Sequence, residues 1–494
     1  MRSARITPIV YLIFTLALIL PTAIHSQVQN RIPLSPGLLA GRALRQSPLS
    51  TQFDFLSRTS PLNLTCSPAP CLFPNVQASE GGAPVETQVI AINPNNPSQI
   101  MVRADDYNCS SYKGVSSTSD GGQTWKTRCL PLTFNYIGEL NPVAAYDSNN
   151  VAYGGGVEYL DGGEAAGAMI TLSKSLDNGV TWGSPVTVTG PTLGYTLAGP
   201  WLAVDTNPGS SFQNQLYISS IQYDQNYNSQ IWVSHSSDGG NTWSSTAVDT
   251  IQVLPAADGL AVLAIGGDGA IYLSWLRCPG SPTHGCTNTD ARILFSKSSD
   301  GGSTWSKPAI VAQVTSVPDF RTCGSYFGCL PNTSEPLTNV PAIAVSGVGS
   351  TASVYTTFYN WSGAQLQIEV AASHDGGNTW GAPVRVSGSN AGDEFFSWIS
   401  VDAAGRVLAT WLDRRNDPNN VKYQPFFAVS TSGGRSFGRD RALSKILSDP
   451  SHDGFHGTYM GDFRTQVSLG TATYVTWMDT RSGNCQSEVG GVQF

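Results

Sequence analysis

Charge is what this chain has least of. Asp, Glu, Lys and Arg together make up 13% of its 494 residues, about half the share of an ordinary globular protein. So little charge excludes coiled coils, charge-laced helical bundles and disordered polyelectrolytes. Positive charge is the scarcer sign. With 27 Lys and Arg against 35 Asp and Glu, the net charge is −8 and the pI about 5.2. No basic stripe exists to neutralise phosphates, so nucleic acid is not an expected partner. There is no CxxC, and the six histidines do not cluster with the cysteines, which argues against a structural zinc site. Beyond the N-terminus no apolar run approaches the ~20 residues of a membrane span. What the chain has instead is 51 Gly, 30 Pro and 12 Trp on 40% hydrophobic residues, the composition of a turn-rich β protein.

The first 26 residues read as a secretory signal. Arg2 and Arg5 precede an apolar run from Ile9 to Leu20, and Ala23 or Ser26 offers a small residue for cleavage. Eight of the nine cysteines fall into close pairs, as loop-stapling disulfides do in exported chains: Cys66/Cys71, Cys109/Cys129, Cys278/Cys286 and Cys323/Cys329. Cys485 is left over. Residues 27–84 carry Pro, Ser, Gln and Leu without periodicity and read as an N-terminal extension or linker. The expected location is therefore secreted, periplasmic or cell-surface, with no stable membrane insertion once the signal is removed.

An internal repeat defines the remainder. The octet Ser/Thr-x-Asp-x-Gly-x-Thr-Trp occurs at 118–125, 175–182, 236–243, 298–305 and 373–380, with a degenerate copy at 430–437 where Ser432 replaces the aspartate. The aspartates Asp120, Asp177, Asp238, Asp300 and Asp375 lie 57, 61, 62 and 75 residues apart. Such an octet builds a hairpin turn: the carboxylate accepts backbone N–H groups, glycine supplies positive φ, and tryptophan packs on the sheet. These aspartates are expected to be structural rather than catalytic. A strand–turn–strand pattern precedes each box and recurs seven times, beginning at Val89, Val143, Trp201, Ala261, Pro341, Trp398 and Thr465. Residues 85–494 then divide into seven units of about 59, enough for a four-stranded sheet each. The expected fold is all-β, a β-propeller of seven four-stranded blades, with six as the alternative. The last unit is one strand short, and residues near 75–86 are expected to complete it.

These octets resemble the Asp boxes, or BNR repeats, of the sialidase-like β-propellers, and the resemblance covers 85–494. It implies a secreted carbohydrate-active protein, in the first place a sialidase-like glycoside hydrolase on acidic glycans. A non-catalytic glycan- or protein-binding propeller and a polysaccharide lyase using Tyr459 with His452 or His456 are the alternatives. The expected partner is a glycan or glycoconjugate, met by a monomer, and no cofactor or metal is implied. Sialidases grip a carboxylate with three arginines, attack with a tyrosine assisted by a glutamate, and use an aspartate as acid/base. The chain departs from them in one motif: Arg31-Ile32-Pro33 stands beside the signal, while the first-blade arginine is Arg103.

If the boxes lie at turns between third and fourth strands, a site belongs on the opposite face. Aligned second strands put Asp106, Val157, Gln222, Arg277, Asn360, Asp413 and Asp479 in one column near the strand ends. Two units share Trp-x-Asp-x-Arg, as Trp411, Asp413, Arg415 and Trp477, Asp479, Arg481. The candidate catalytic residues are Tyr459, Glu394 and Asp106, with Tyr326 and Glu335 as alternates. The candidate substrate-binding residues are Arg277, Arg415, Arg464 and Arg481, with Asp413 and Asp479 orienting two of them; Arg321 also belongs to that face. The loop before Thr465 carries His452, Asp453, His456 and Asp462, and is read as an ordered loop in preference to a metal site.

Overall fold

A computed structural model describes residues 69–160, 167–190, 196–281, 285–287, 289–318, 323 and 325–494. The predicted signal, most of the predicted linker, Cys66 and Arg321 lie outside the described residues. The described chain folds as seven antiparallel sheets, each a consecutive meander, arranged as a β-propeller. The innermost strands, blade by blade, are Val85–Asn93, Tyr136–Tyr146, Thr196–Val204, Ala257–Ile265, Ala342–Ser346, Glu394–Val401 and Gln466–Leu469. The expected seven blades are present, and the six-bladed alternative is excluded. Among the described residues no helix is long and apolar enough to cross a membrane.

Blade seven has three strands from the C-terminus, and its edge is completed by Cys71–Leu72 and Val76–Gln77, both paired with Gln486–Gln493. The completing segment thus begins a few residues earlier than the sequence suggests. The ring also closes at its inner wall. A parallel bridge joins Gln88 of blade one to Arg464, and the Gln88 N–H donates to the Phe463 carbonyl at 3.2 Å.

The octets do the work their composition predicts. Asp238 accepts the Ser236 hydroxyl at 2.8 Å, the Asn241 and Thr242 N–H groups at 2.9 Å and the Thr242 hydroxyl at 2.7 Å. The Trp243 indole donates to the Gly240 carbonyl at 3.2 Å. In the degenerate copy Ser430 still receives the Gly434 N–H at 2.9 Å, but Ser432 makes only one backbone acceptance, from Ser436 at 3.1 Å. Each box joins a third strand to a fourth, so all lie on one face.

Blade two contains Gly154-Gly155-Gly156 inside a strand, an arrangement that weakens strands unless something needs the space. Here a buried charge network needs it. Arg103 pairs with Glu139, and Lys113 bridges Glu139 at 2.8 Å and Glu158 at 2.6 Å, all within 1% of full burial. A Cβ at Gly154 would stand 3.1 Å from the Arg103 stem, and one at Gly156 2.8 Å from Glu139. Blades one and two are thereby clamped by paired charge as well as by apolar packing.

Three of the four expected disulfides are present: Cys109–Cys129, Cys278–Cys286 and Cys323–Cys329. The fourth pair includes Cys66, outside the described residues. Cys485 is a free, buried thiol.

Candidate functional site

Innermost strands begin, and second strands end, on the face opposite the boxes. Near its start the innermost strand of blades one, two, three, four and six breaks register, after Glu86, Leu140, Ala198, Asp258 and Phe395. Each break inserts a residue, and four inserts have positive φ: Thr87 at 45°, Asn141 at 56°, Gly199 at 54° and Phe396 at 48°. A bulge bends its strand and re-aims a side chain. For β-branched Thr87 this backbone is a true outlier, of the kind that persists where surrounding bonds over-determine it.

Those bonds are present. The Thr87 hydroxyl donates to Glu86 and accepts the Asp462 N–H at 3.0 Å, with the Tyr459 hydroxyl 3.5 Å away. Tyr107 donates to Glu86 at 3.0 Å. The Asn141 amide donates to Asp462 at 3.2 Å, and its backbone N–H to Asp105 at 3.3 Å. Gly199 N–H reaches the Asn141 oxygen at 3.4 Å. Inserted residues of three blades and the connection before blade seven so converge at the mouth of the central channel. Across that channel Trp201 of blade three meets Trp398 of blade six at 4.7 Å, with Phe463 6.3 Å from each.

Three carboxyl groups meet there without a cation. Among the described residues no arginine or lysine forms an ion pair with Glu86, Asp105 or Asp462. Burial raises the Glu86 carboxyl well above its usual range, and the nearby Asp462 charge adds to this. Asp105 is raised well above its range by burial and by Glu86. Asp462 is pushed up to about 6 by burial, tempered by bonds from Tyr459 and Asn141. Burial, with Asp462 next, also holds the Tyr459 phenol well above its usual value. The cluster accordingly carries protons at mildly acidic pH, and Tyr459 is a neutral phenol beside acceptors. Asp462 is its solvent-reaching member, being only partly buried. Among the described residues no group of three His, Cys, Asp or Glu side chains is arranged to hold a metal ion.

No family model matches the chain. Over 196 residues it is 25% identical to a sialidase of Bacteroides fragilis, a match covering 33% of this chain and 35% of that protein. The chain is a seven-bladed β-propeller that is similar to a sialidase over that third of its length. It spans about a third of the length of that curated relative. Among solved structures, the Hadza microbial sialidase Hz136 is 16% identical, covering 67% of this chain and 63% of its own, with a TM-score of 0.42. An α-L-arabinanase of Penicillium chrysogenum complexed with arabinobiose is 13% identical over 73% and 94% of the two chains, with a TM-score of 0.45.

Of the candidate catalytic and binding residues, the propeller brings Tyr459 to the channel mouth, together with Asp462 of the same loop. Asp106 faces away from the cluster, bonded at 2.7 Å by Asn108, because neighbouring residues of a strand point to opposite faces. Its neighbour Asp105 takes the central position. Glu394 lies between blades five and six, accepting the Ile368 N–H at 2.9 Å, and burial pushes it up to about 7. Tyr326 donates to the Pro255 carbonyl. Glu335 and Asp453 serve the Tyr459 loop. Asp453 accepts N–H groups from Phe455, Gly457 and Tyr459 at 2.6–3.0 Å, and Glu335 accepts that of Met460 at 2.8 Å. The loop is ordered as expected, with His452 and His456 exposed.

The four arginines do not converge. Arg277 pairs with Asp258 and Asp249 at 2.8 and 2.7 Å. Arg415 is bidentate to Asp413, and Arg481 to Asp479, with donor distances of 2.6–2.9 Å. Arg464 is fully buried between blades six and seven, donating to Thr410 at 2.9 Å, and burial lowers it to about 9. No two of them share a partner. The aligned column also needs one correction. Ser175, at the head of its box, pairs with Ala152, as Ser430 pairs with Val407, so the counterpart of Asp413 is Glu158, not Val157.

Sequence reasoning missed Glu86, Thr87, Asp105 and Asn141. The adjacent acids Asp105-Asp106 were a visible signal whose facing was misjudged. Thr87 and Asn141 were hidden because an inserted residue breaks the period of two by which strand faces are counted.

Proposed function

We propose that this is an exported glycoside hydrolase working through the carboxyl cluster at the channel mouth, on an uncharged glycosidic linkage. One observation carries the reading: Glu86, Asp105 and Asp462 share a buried site with no cation to neutralise them. Glycoside cleavage needs a proton delivered to the leaving oxygen, and a buried carboxyl that keeps its proton at mildly acidic pH can deliver it. Asp462, about 6 and partly exposed, is the group able to protonate a leaving oxygen near pH 6. Glu86 and Asp105, kept protonated by burial, donate hydrogen bonds to the sugar, and Tyr459 bonds to Asp462 and orients it. A sugar carboxylate would meet no ion-pairing arginine or lysine of the described residues at this centre, in keeping with arginines already occupied elsewhere.

The test is a panel of fluorogenic glycosides, sialoside included, with wild type, Asp462→Asn and Glu86→Gln. Turnover of a neutral glycoside is expected, with kcat reduced at least about 100-fold in Asp462→Asn. Turnover of the sialoside alone would overturn the uncharged-substrate assignment. The second reading, a glycan-binding propeller without turnover, is favoured by the 1% exposure of Tyr459 and Asp105. Binding without hydrolysis of any panel member would establish it.

A further inference from the structure

Blades five and six are built differently at their outer edge. The outermost strands of blades one to four run four to seven residues, whereas Val384–Arg385 and Arg441–Ala442 have two each. The degenerate octet falls here too, with Phe437 where the other boxes have tryptophan. Where regular strand is lacking, a groove of about 640 Å³ opens, lined by Arg385, Ser387, Arg415, Phe437, Arg439 and Asp440. Three arginines in one groove are out of keeping with a chain of net charge −8.

The groove is partly organised. Asp440 receives Arg415 at 2.8 Å and the Ser387 hydroxyl and Gly388 N–H at 3.2 Å each, and Arg415 donates to Ser387 at 2.8 Å. The Arg415 guanidinium lies over the Phe426 ring, 4.2 Å from its centroid, which together with these bonds holds it in place. Arg385 donates to Asn390 at 2.6 Å and lies 3.9 Å from Glu394, while Arg439 is exposed and forms no ion pair among the described residues. The Asp413 carboxylate behind Arg415 neutralises that residue, and Asp440 faces it from blade six. Arg439 is therefore the charge left over for a ligand, with Arg385, held from one side by Asn390 and Glu394, beside it. An aromatic ring, fixed hydroxyls and a spare guanidinium group suit a sugar ring that carries an anionic group.

We propose that this groove is an ancillary subsite for an anionic sugar residue, whose carboxylate or sulfate meets Arg439 and Arg385 while its ring lies against Phe437. It draws from the preceding reading only that the ligand is a glycan. An acidic substituent is thus recognised at the rim, away from the acidic channel mouth, and the protein grips a charged chain while cleaving a neutral linkage.

Isothermal titration with a uronic-acid oligosaccharide, a sulfated oligosaccharide and a neutral one tests this, at low and at physiological salt. Binding of an anionic probe, weakened by salt and absent for the neutral probe, is expected. Which of the two anionic probes binds identifies the group. Arg439→Glu should weaken binding at least tenfold at unchanged Tm, and Asp462→Asn at the centre should bind like wild type. Equal binding of the neutral probe, no heat from either anionic probe, or wild-type affinity in Arg439→Glu would each overturn the subsite. Arg439→Glu should also hydrolyse small aryl glycosides at the wild-type rate. Should no glycoside be hydrolysed while the titrations succeed, the hydrolase reading fails and the subsite stands.

Discussion

Tyr459 depends on groups that never touch its ring. Asp453 and Glu335 together accept four backbone N–H groups of its loop, and burial, with the Asp453 charge next, raises the Glu335 carboxyl well above its usual range. An acceptor lost here leaves buried donors without partners, at about 1–3 kcal/mol each. Asp453→Ala should cost several kcal/mol in denaturant unfolding. Glu335→Gln keeps an acceptor for Met460 and should cost about 1 kcal/mol or less. Equal costs would show that the loop is held by packing alone. Thr87 provides a second check at this scale. Thr87→Ser keeps the hydroxyl and should retain activity, while Thr87→Ala should lose most of it. Matching loss in both would mean that the methyl group, not the hydroxyl, matters.

At the scale of strands and turns, the boxes and the buried charges lead to different expectations. Ser432→Asp rebuilds the acceptor that five other turns possess and should raise Tm, as differential scanning calorimetry would register. A fall would mean that the sixth turn has diverged too far to accept the carboxylate. Lys113→Met should cost about 3–5 kcal/mol, since Glu139 and Glu158 would stay buried with one cation fewer. Gly155→Ala should also destabilise, because a Cβ there would stand 1.9 Å from the Thr171 carbonyl. The sequence announced the turns plainly, since an octet repeated five times with one hydrogen-bonding logic leaves little to guess. It announced the Trp-x-Asp-x-Arg pairs too, though not that Arg415 also reaches Asp440 and Arg481 also reaches Glu488. The channel-mouth cluster was far less legible. Its members come from blades one, two and seven, far apart in the chain, and inserted residues shift the facing of two of them.

For the whole molecule, pH acts through two opposed sets of acids. Asp106, Asp258 and Asp462 are raised to about 6 and Glu394 to about 7, all chiefly by burial. Raised groups contribute stability that is full below about pH 4 and is lost as pH climbs through 6 to 7. Asp177 and Asp375 are lowered to about 2, first by bonds from Thr181 and Thr379. Lowered groups contribute fully above about pH 4, and that contribution is lost as pH falls toward 2. The two windows meet at mildly acidic pH, so Tm should peak near pH 4–5 and decline on both sides. A Tm that rises steadily from pH 5 to 8 would show that the buried acids do not hold their protons.

The edge strand of the last blade comes from residues 71–77, and its partner is the final strand, Gln486–Gln493. Some four hundred residues must therefore leave the ribosome or the translocation pore before those two segments can meet. Six blades can form in order as they emerge, each from neighbouring sequence. The seventh cannot, and until the last residues arrive the earliest strand has an unpaired edge open to other chains. Closure is then the slowest and most non-local event of folding. A chain cut short by even the final strand loses the clasp of the whole ring, whereas a permuted chain, opened between two middle blades and joined at the present ends, should close early.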